Sequence, residues 1–161
     1  MTKARFSHLD RDGAPRMVDV GKKVPSQRMA KAEALVDLGP EVCRMLAETS
    51  GVAKGNVVET ARVAGIMAAK RTADLIPMCH PLTLDHVSLS FDLGQRALTI
   101  SSEVRCQGRT GVEMEALTAV SVAALTVYDM CKSASKGISV EYLRLVEKSG
   151  GKSGGWHRSE A

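Results

Sequence analysis

An otherwise apolar segment, Val112 to Ser135, carries five polar side chains that could do chemistry: Glu115, Thr118, Thr126, Asp129 and Ser133. Coiled as a helix, at about 100° per residue, the segment sets them within roughly 60° of one another, a polar stripe down a greasy rod. Polar groups on a buried helix need a reason. One reason is a cleft wall. Lys132 stands beside Asp129 in spacing, and a carboxylate that holds an ammonium in a partly desolvated site can ready it for proton transfer, because burial lowers a lysine pKa and a nearby anion raises it. The same spacing also fits an ordinary i,i+3 ion pair with the hydroxyls satisfied by their own helix.

Met78-Cys79-His80-Pro81 follows Pro77, and the two prolines predict an extended, low-entropy segment that presents His80 outward. An imidazole so placed can act near neutral pH, or it can be a satisfied histidine of the core. His80 and His86 as metal ligands fit no common spacing, and no Cys or acidic cluster completes a set. Lys54-Gly55 precedes Asn56, and Gly108-Arg109-Thr110-Gly111 precedes the long helix. Each places a cation and flexible backbone at a helix start, where anions are favoured. Two such mouths suit a polyphosphate, though ordinary loop chemistry uses the same residues. Gly151-Lys152-Ser153 is no P-loop, since Val146 stands where its first glycine would and no helix follows.

These groups must be positioned by a small set of elements. Met17 to Val20 is a short strand candidate, and Arg28 to Leu38 fits a strand or a helix, the strand being preferred. Pro40 opens a helix over Glu41 to Glu48. Asn56 and Glu59 form a capping-box start for a helix from Val57 to about Asp74, which must stop before Pro77. Its Ala61, Ala64, Gly65, Ala68 and Ala69 allow another element to approach closely. Alternation over Asp85 to Asp92 and Ala97 to Cys106, around Gly94-Gln95, predicts a hairpin. Gly137 ends the long helix, and Ile138 to Val146 reads as a final strand. The order matches a βαββαβ plan, an antiparallel sheet with helices on one face. Residues 1–15 and the glycine-rich stretch 150–161 read as flexible ends around a single α+β domain, 16–149.

The 161 residues hold one domain's worth of apolar side chains, 44% of the chain. The longest charge-free run in the apolar segment, Ala116 to Tyr128, is 13 residues, against about 20 for a membrane-spanning helix. With no apolar leader after Met1, a cytoplasmic protein without membrane partners is expected. Cys43, Cys79, Cys106 and Cys131 are scattered single thiols, with no pattern for zinc or disulfides. Only five aromatic residues occur, too few for a base-stacking platform, so no nucleic-acid partner is expected. The net charge of +4 still calls for an anion, which a small phosphorylated molecule supplies.

Longer strings carry a resemblance. Met17-Val18-Asp19-Val20, Lys54-Gly55-Asn56, Ala64-Gly65-Ile66, the run from Ala68-Ala69-Lys70-Arg71 through Pro77-Met78-Cys79-His80-Pro81-Leu82, Gly111-Val112-Glu113-Met114-Glu115, Tyr128-Asp129-Met130-Cys131-Lys132 and Lys148-Ser149-Gly150-Gly151-Lys152 are similar, from about residue 15 to 155, to the molybdenum cofactor biosynthesis protein C family. The resemblance implies a ferredoxin-like α+β fold and a homo-oligomer, a hexamer built as a trimer of dimers with active sites at the dimer interface. It implies a lyase that turns 3′,8-cyclo-7,8-dihydro-GTP into cyclic pyranopterin monophosphate and diphosphate. Lys54, Lys132 and Asp129 fall on the family's catalytic positions. Met78, Cys79, His80, Met114 and Glu115 fall on substrate-contacting segments, and Arg28, Glu113 and Lys148 around the pocket. Asn56 departs from the aspartate often found there, which touches only a helix cap. No intrinsic cofactor is implied; magnesium could accompany the substrate's triphosphate, without a dedicated cage of metal ligands. Two other readings remain open at this point: a non-catalytic ferredoxin-like module that binds RNA through its charge, and an enzyme that acts on unmodified GTP.

Overall fold

The computed structural model describes residues 7–10, 12–49, 56–152 and 154–159. Alternation decides the first element. Ala30, Ala32, Ala34 and Val36 are buried while Lys31 and Glu33 face outward, and the segment is strand β1, Ser26–Asp37. Asp37 then accepts a 2.9 Å bond from the Gly39 amide and pairs at 2.9 Å with Arg96, and helix α1, Gly39–Thr49, follows. Asn56 caps α2, Val57–Ala69, by accepting from the Glu59 amide at 3.0 Å.

The helix expected to continue to about Asp74 is interrupted. Arg71 leaves helical geometry, and the chain resumes as the single turn α3, Thr72–Leu75. The buried Thr72 hydroxyl donates to the Ala69 carbonyl at 3.0 Å, tying the new turn to the old. Strands β2, His86–Leu93, and β3, Ala97–Gly108, form the expected hairpin. Helix α4, Glu113–Cys131, leads to β4, Ser139–Ser149. Met17 to Val20, a strand candidate by sequence, forms no strand. After Gly150 a two-residue strand β5, Trp156–His157, pairs with β4.

The sheet order is β2-β3-β1-β4-β5, with every neighbouring pair antiparallel. The first four strands with their crossing helices make a ferredoxin-like α+β fold. Helix α4 lies against β1, β3 and β4, and α2 lies along α4 and reaches β2. Gly65 makes that approach possible, because a Cβ there would sit 2.6 Å from a Leu89 methyl and 2.8 Å from the Ala119 carbonyl. By length and composition α4 is apolar enough to cross a membrane, but Ala116, Ala119, Val120, Ala123 and Val127 are fully buried at the centre of the core. The opposite face of the sheet is polar. Lys31 bridges Glu147 at 3.0 Å and Glu103 at 3.8 Å, and Glu33 holds Arg144 at 3.2 Å.

Candidate active site

The first turn of α4, the glycine loop before it, the start of β1 and the end of β4 meet at one end of the sheet. Arg28, near the start of β1, donates from Nε to the Gly108 carbonyl at 3.3 Å and from Nη2 to the Arg109 carbonyl at 3.5 Å. It therefore holds the loop that leads into α4. Lys148 reaches Glu113 at 2.7 Å, and both are half-buried. The chain passes over Arg28 at Gly150 and Gly151, which have φ of 98° and 75°. A Cβ on Gly151 would meet the guanidinium at 1.7 Å, so the left-handed turn and the close approach both demand glycine. The Gly150-Gly151 pair thus clamps an arginine.

Two adjoining cavities open here, of about 650 and 870 Å³, and share Lys23, Thr110, Gly111 and Glu113. The larger is lined by six cationic side chains, Lys22, Lys23, Arg28, Arg109, Lys148 and Lys152. The smaller is lined by Met78, Cys79, His80, Met114 and Glu115 together with Val18 and Val20. Glu115 is 4% exposed, and burial, with the Glu113 charge adding, pushes its carboxyl up to about 7 against the reduced pull of its own amide. It can give or take a proton near neutral pH. The Cys79 thiol is pushed up by burial and then by Glu115, which keeps it protonated and makes it a packing group rather than a nucleophile.

His80 is not presented freely outward as its framing prolines suggest. Its Nε2 lies 2.8 Å from the Val18 carbonyl, so that nitrogen carries the proton and donates it.

The polar stripe expected along α4 divides into two environments. Glu115 and Thr118 are buried, Thr126 donates to its own helix at Val122, and Asp129 and Lys132 are 61% and 53% exposed at the far end. Asp129 and Lys132 approach to 2.5 Å, and that hydrogen bond, with the Asp129 charge, raises the Lys132 pKa. The pair does not have the partly desolvated setting expected for it. The rise of a helix puts Asp129 about 24 Å along α4 from Glu113. Arg28, Met78, Cys79, His80, Glu113, Met114, Glu115 and Lys148 are thus brought together, and Asp129 and Lys132 lie apart from them. Lys54, the remaining candidate, lies outside the described residues.

Sequence reasoning missed Lys22, Lys23 and the two valines ahead of them as part of the pocket. An adjacent lysine pair before Pro25 looks like any solvated loop, and the only signal was Met17-Val18-Asp19-Val20 itself. Among the described residues no three His, Cys, Asp or Glu side chains gather as a metal site.

Fold and cavity define a ferredoxin-like α+β protein whose cation-lined pocket suits a phosphorylated small molecule in charge and size. The MoaC family matches residues 17–151, and the chain belongs to that family. It is 53% identical over 159 residues to the cyclic pyranopterin monophosphate synthase of Chloroflexus aggregans, covering 98% of this chain and 96% of that protein. The proteins of the same name from Desulfatibacillum aliphaticivorans and Methylobacterium sp. strain 4-46 are each 54% identical, over 94% and 95% of this chain and 96% of their own lengths.

Proposed function

We propose that this chain is a cyclic pyranopterin monophosphate synthase of molybdenum cofactor assembly, converting 3′,8-cyclo-7,8-dihydro-GTP to cyclic pyranopterin monophosphate and diphosphate. The observation that carries the reading is the near-full-length match to relatives of that name, together with a cationic cavity joined to one that holds a buried carboxyl tuned near neutrality. Ring opening, pyran formation and closure of the cyclic phosphate move protons without a change of oxidation state. Two lysines and a carboxylate suffice in kind for that work. The cationic cavity takes the triphosphate, and neutralising its charge lets diphosphate leave. The smaller cavity, with Met78, Met114 and Glu115, takes the tricyclic part. Lys54, Lys132 and Asp129 are the proposed catalytic groups.

A site of this kind needs two copies. The exposure of Asp129 and Lys132 and their distance from the Glu113 cavity support a dimer in which a second copy brings its own α4 end to this pocket, desolvating the pair. A hexamer of three such dimers is the proposed assembly, and the cytosol its proposed location. The experiment is incubation of the purified protein with the cyclised dihydro-GTP and, separately, with GTP, with product mass and diphosphate read together. Pterin product and diphosphate from the first substrate alone are expected; diphosphate from GTP would favour a GTP-directed enzyme, and neither product would sink the proposal.

A further inference from the structure

Residues 16–24 cross the mouth of both cavities without joining the sheet. The segment is extended, so side chains alternate: Val18 and Val20 are half-buried and line the smaller cavity, while Asp19 lines the larger. After Val20 the chain turns, with the Gly21 amide donating to Asp19 at 2.8 Å and the Lys23 amide donating to the Val20 carbonyl at 3.0 Å. That turn aims Lys22 and Lys23 at the cavity that also holds Arg28 and Lys148. At the segment's start the Arg16 amide donates to the His8 carbonyl at 2.8 Å; beyond that, among the described residues one hydrogen bond ties residues 17–24 to the rest of the chain, the 2.8 Å bond from His80 Nε2 to the Val18 carbonyl. His80 is itself held stiff between Pro77 and Pro81, on the segment that floors the smaller cavity.

We propose that His80 is a positioning residue, a latch whose donation to the Val18 carbonyl holds residues 17–23 across the pocket so that Lys22 and Lys23 complete the cation set for the substrate's triphosphate. This rests on the reading of the pocket as the site for that substrate. The latched nitrogen is committed to Val18, so the imidazole acts on phosphate affinity through the lysines. Two half-buried valines alone leave the strap's register weakly fixed, and a lysine on a wandering segment adds little to an anion site.

The test uses the full chain with His80→Ala, His80→Gln, Lys22→Ala/Lys23→Ala and the combined triple variant. Backbone amide exchange over residues 17–24 is measured without substrate, and the affinity for inorganic triphosphate and the KM for the cyclised dihydro-GTP are measured beside it. His80→Ala should speed exchange across the strap and weaken triphosphate binding and raise KM by roughly tenfold, the scale of one lost hydrogen bond, with kcat held within about twofold. His80→Gln, whose amide nitrogen reaches where Nε2 does, should restore both readouts. In the double-lysine background, His80→Ala should change affinity less than about twofold. Unchanged exchange in His80→Ala overturns the latch whether or not the protein turns over substrate. A full His80→Ala effect that persists without the two lysines shows direct contact with the ligand and overturns the indirect role. If no variant and not even the parent turns over substrate, the proposed function fails, while exchange and triphosphate affinity still decide the latch.

Discussion

Replacing Glu115 with glutamine should make the protein more resistant to unfolding, and more so at pH 8 than at pH 5. The carboxyl is 4% exposed and its pKa stands at about 7, against 4.5 for the ordinary side chain. A carboxyl raised on folding binds its proton more tightly in the native state. Its contribution is therefore fully present below about pH 4.5 and is lost as the pH rises through 7. A carboxyl that titrates at about 7 in the folded chain and 4.5 in the unfolded one costs about 3 kcal/mol at pH 8 and about 1 kcal/mol at pH 5. Glutamine is neutral at both, so the stability gained by the variant should be about 2 kcal/mol larger at pH 8. Any fixed cost of fitting the amide cancels in that comparison. The assay is urea unfolding followed by circular dichroism, at one protein concentration because the assembly state affects apparent stability. Parallel pH dependence in the parent and Glu115→Gln would show that Glu115 does not titrate as its burial demands. The acid–base role given to the smaller cavity would then lose its physical basis.

Lys132→Ala and Asp129→Asn should each lower turnover by at least about 10²-fold while shifting the unfolding midpoint little, since the pair is exposed in one copy; a loss of activity that tracks a loss of fold would refute this. Gly65→Ala should destabilise by about 1–3 kcal/mol in the same urea assay, because its new methyl meets the Ala119 carbonyl on another helix as well as a movable Leu89 methyl; a neutral result would mean that α2 and α4 are less closely packed. Gly151→Ala should weaken diphosphate binding measured by calorimetry, because the added carbon and the left-handed backbone both force Arg28 out of place. Parental affinity would remove Arg28 from the anion site.

The legible parts of the fold were those fixed by local pattern. Two alternating runs about Gly94 marked the hairpin and Asn56 with Glu59 marked the start of α2, while the alanine-rich Arg28 to Leu38 fitted a helix as well as the preferred strand that became β1. The break at Arg71 was not legible, because the residues around it are good helix formers and the buried Thr72 hydroxyl that stabilises the new turn acts only in the folded chain. Met17 to Val20 has the alternation of a strand but finds no strand to pair with; a hydrogen bond from His80 to Val18 ties it to the cavity instead. The clamp on Arg28 was not legible either, because nothing local in the sequence shows that Gly150 and Gly151 take left-handed angles against a side chain of β1. At the site, the resemblance named Arg28, Met78, Cys79, His80, Glu113, Met114, Glu115 and Lys148, which line the two cavities, and Asp129 and Lys132, which do not. Spacing on α4 could not tell that Glu115 is covered while Asp129 is open, since that difference arises from packing against segments distant in sequence. Nor could spacing show that Lys22 and Lys23 belong with residues far away in sequence.

In the proposed assembly, the cavity of one copy and the Asp129–Lys132 pair of another act on one substrate. Arg28→Ala and Lys132→Ala, each expected to be inactive alone, can be unfolded together, refolded as mixed oligomers and assayed for cyclic pyranopterin monophosphate. A shared site restores one intact site in each mixed dimer, about a quarter of the parental activity at equal proportions. Mixed oligomers as inactive as either variant alone would contradict the claim.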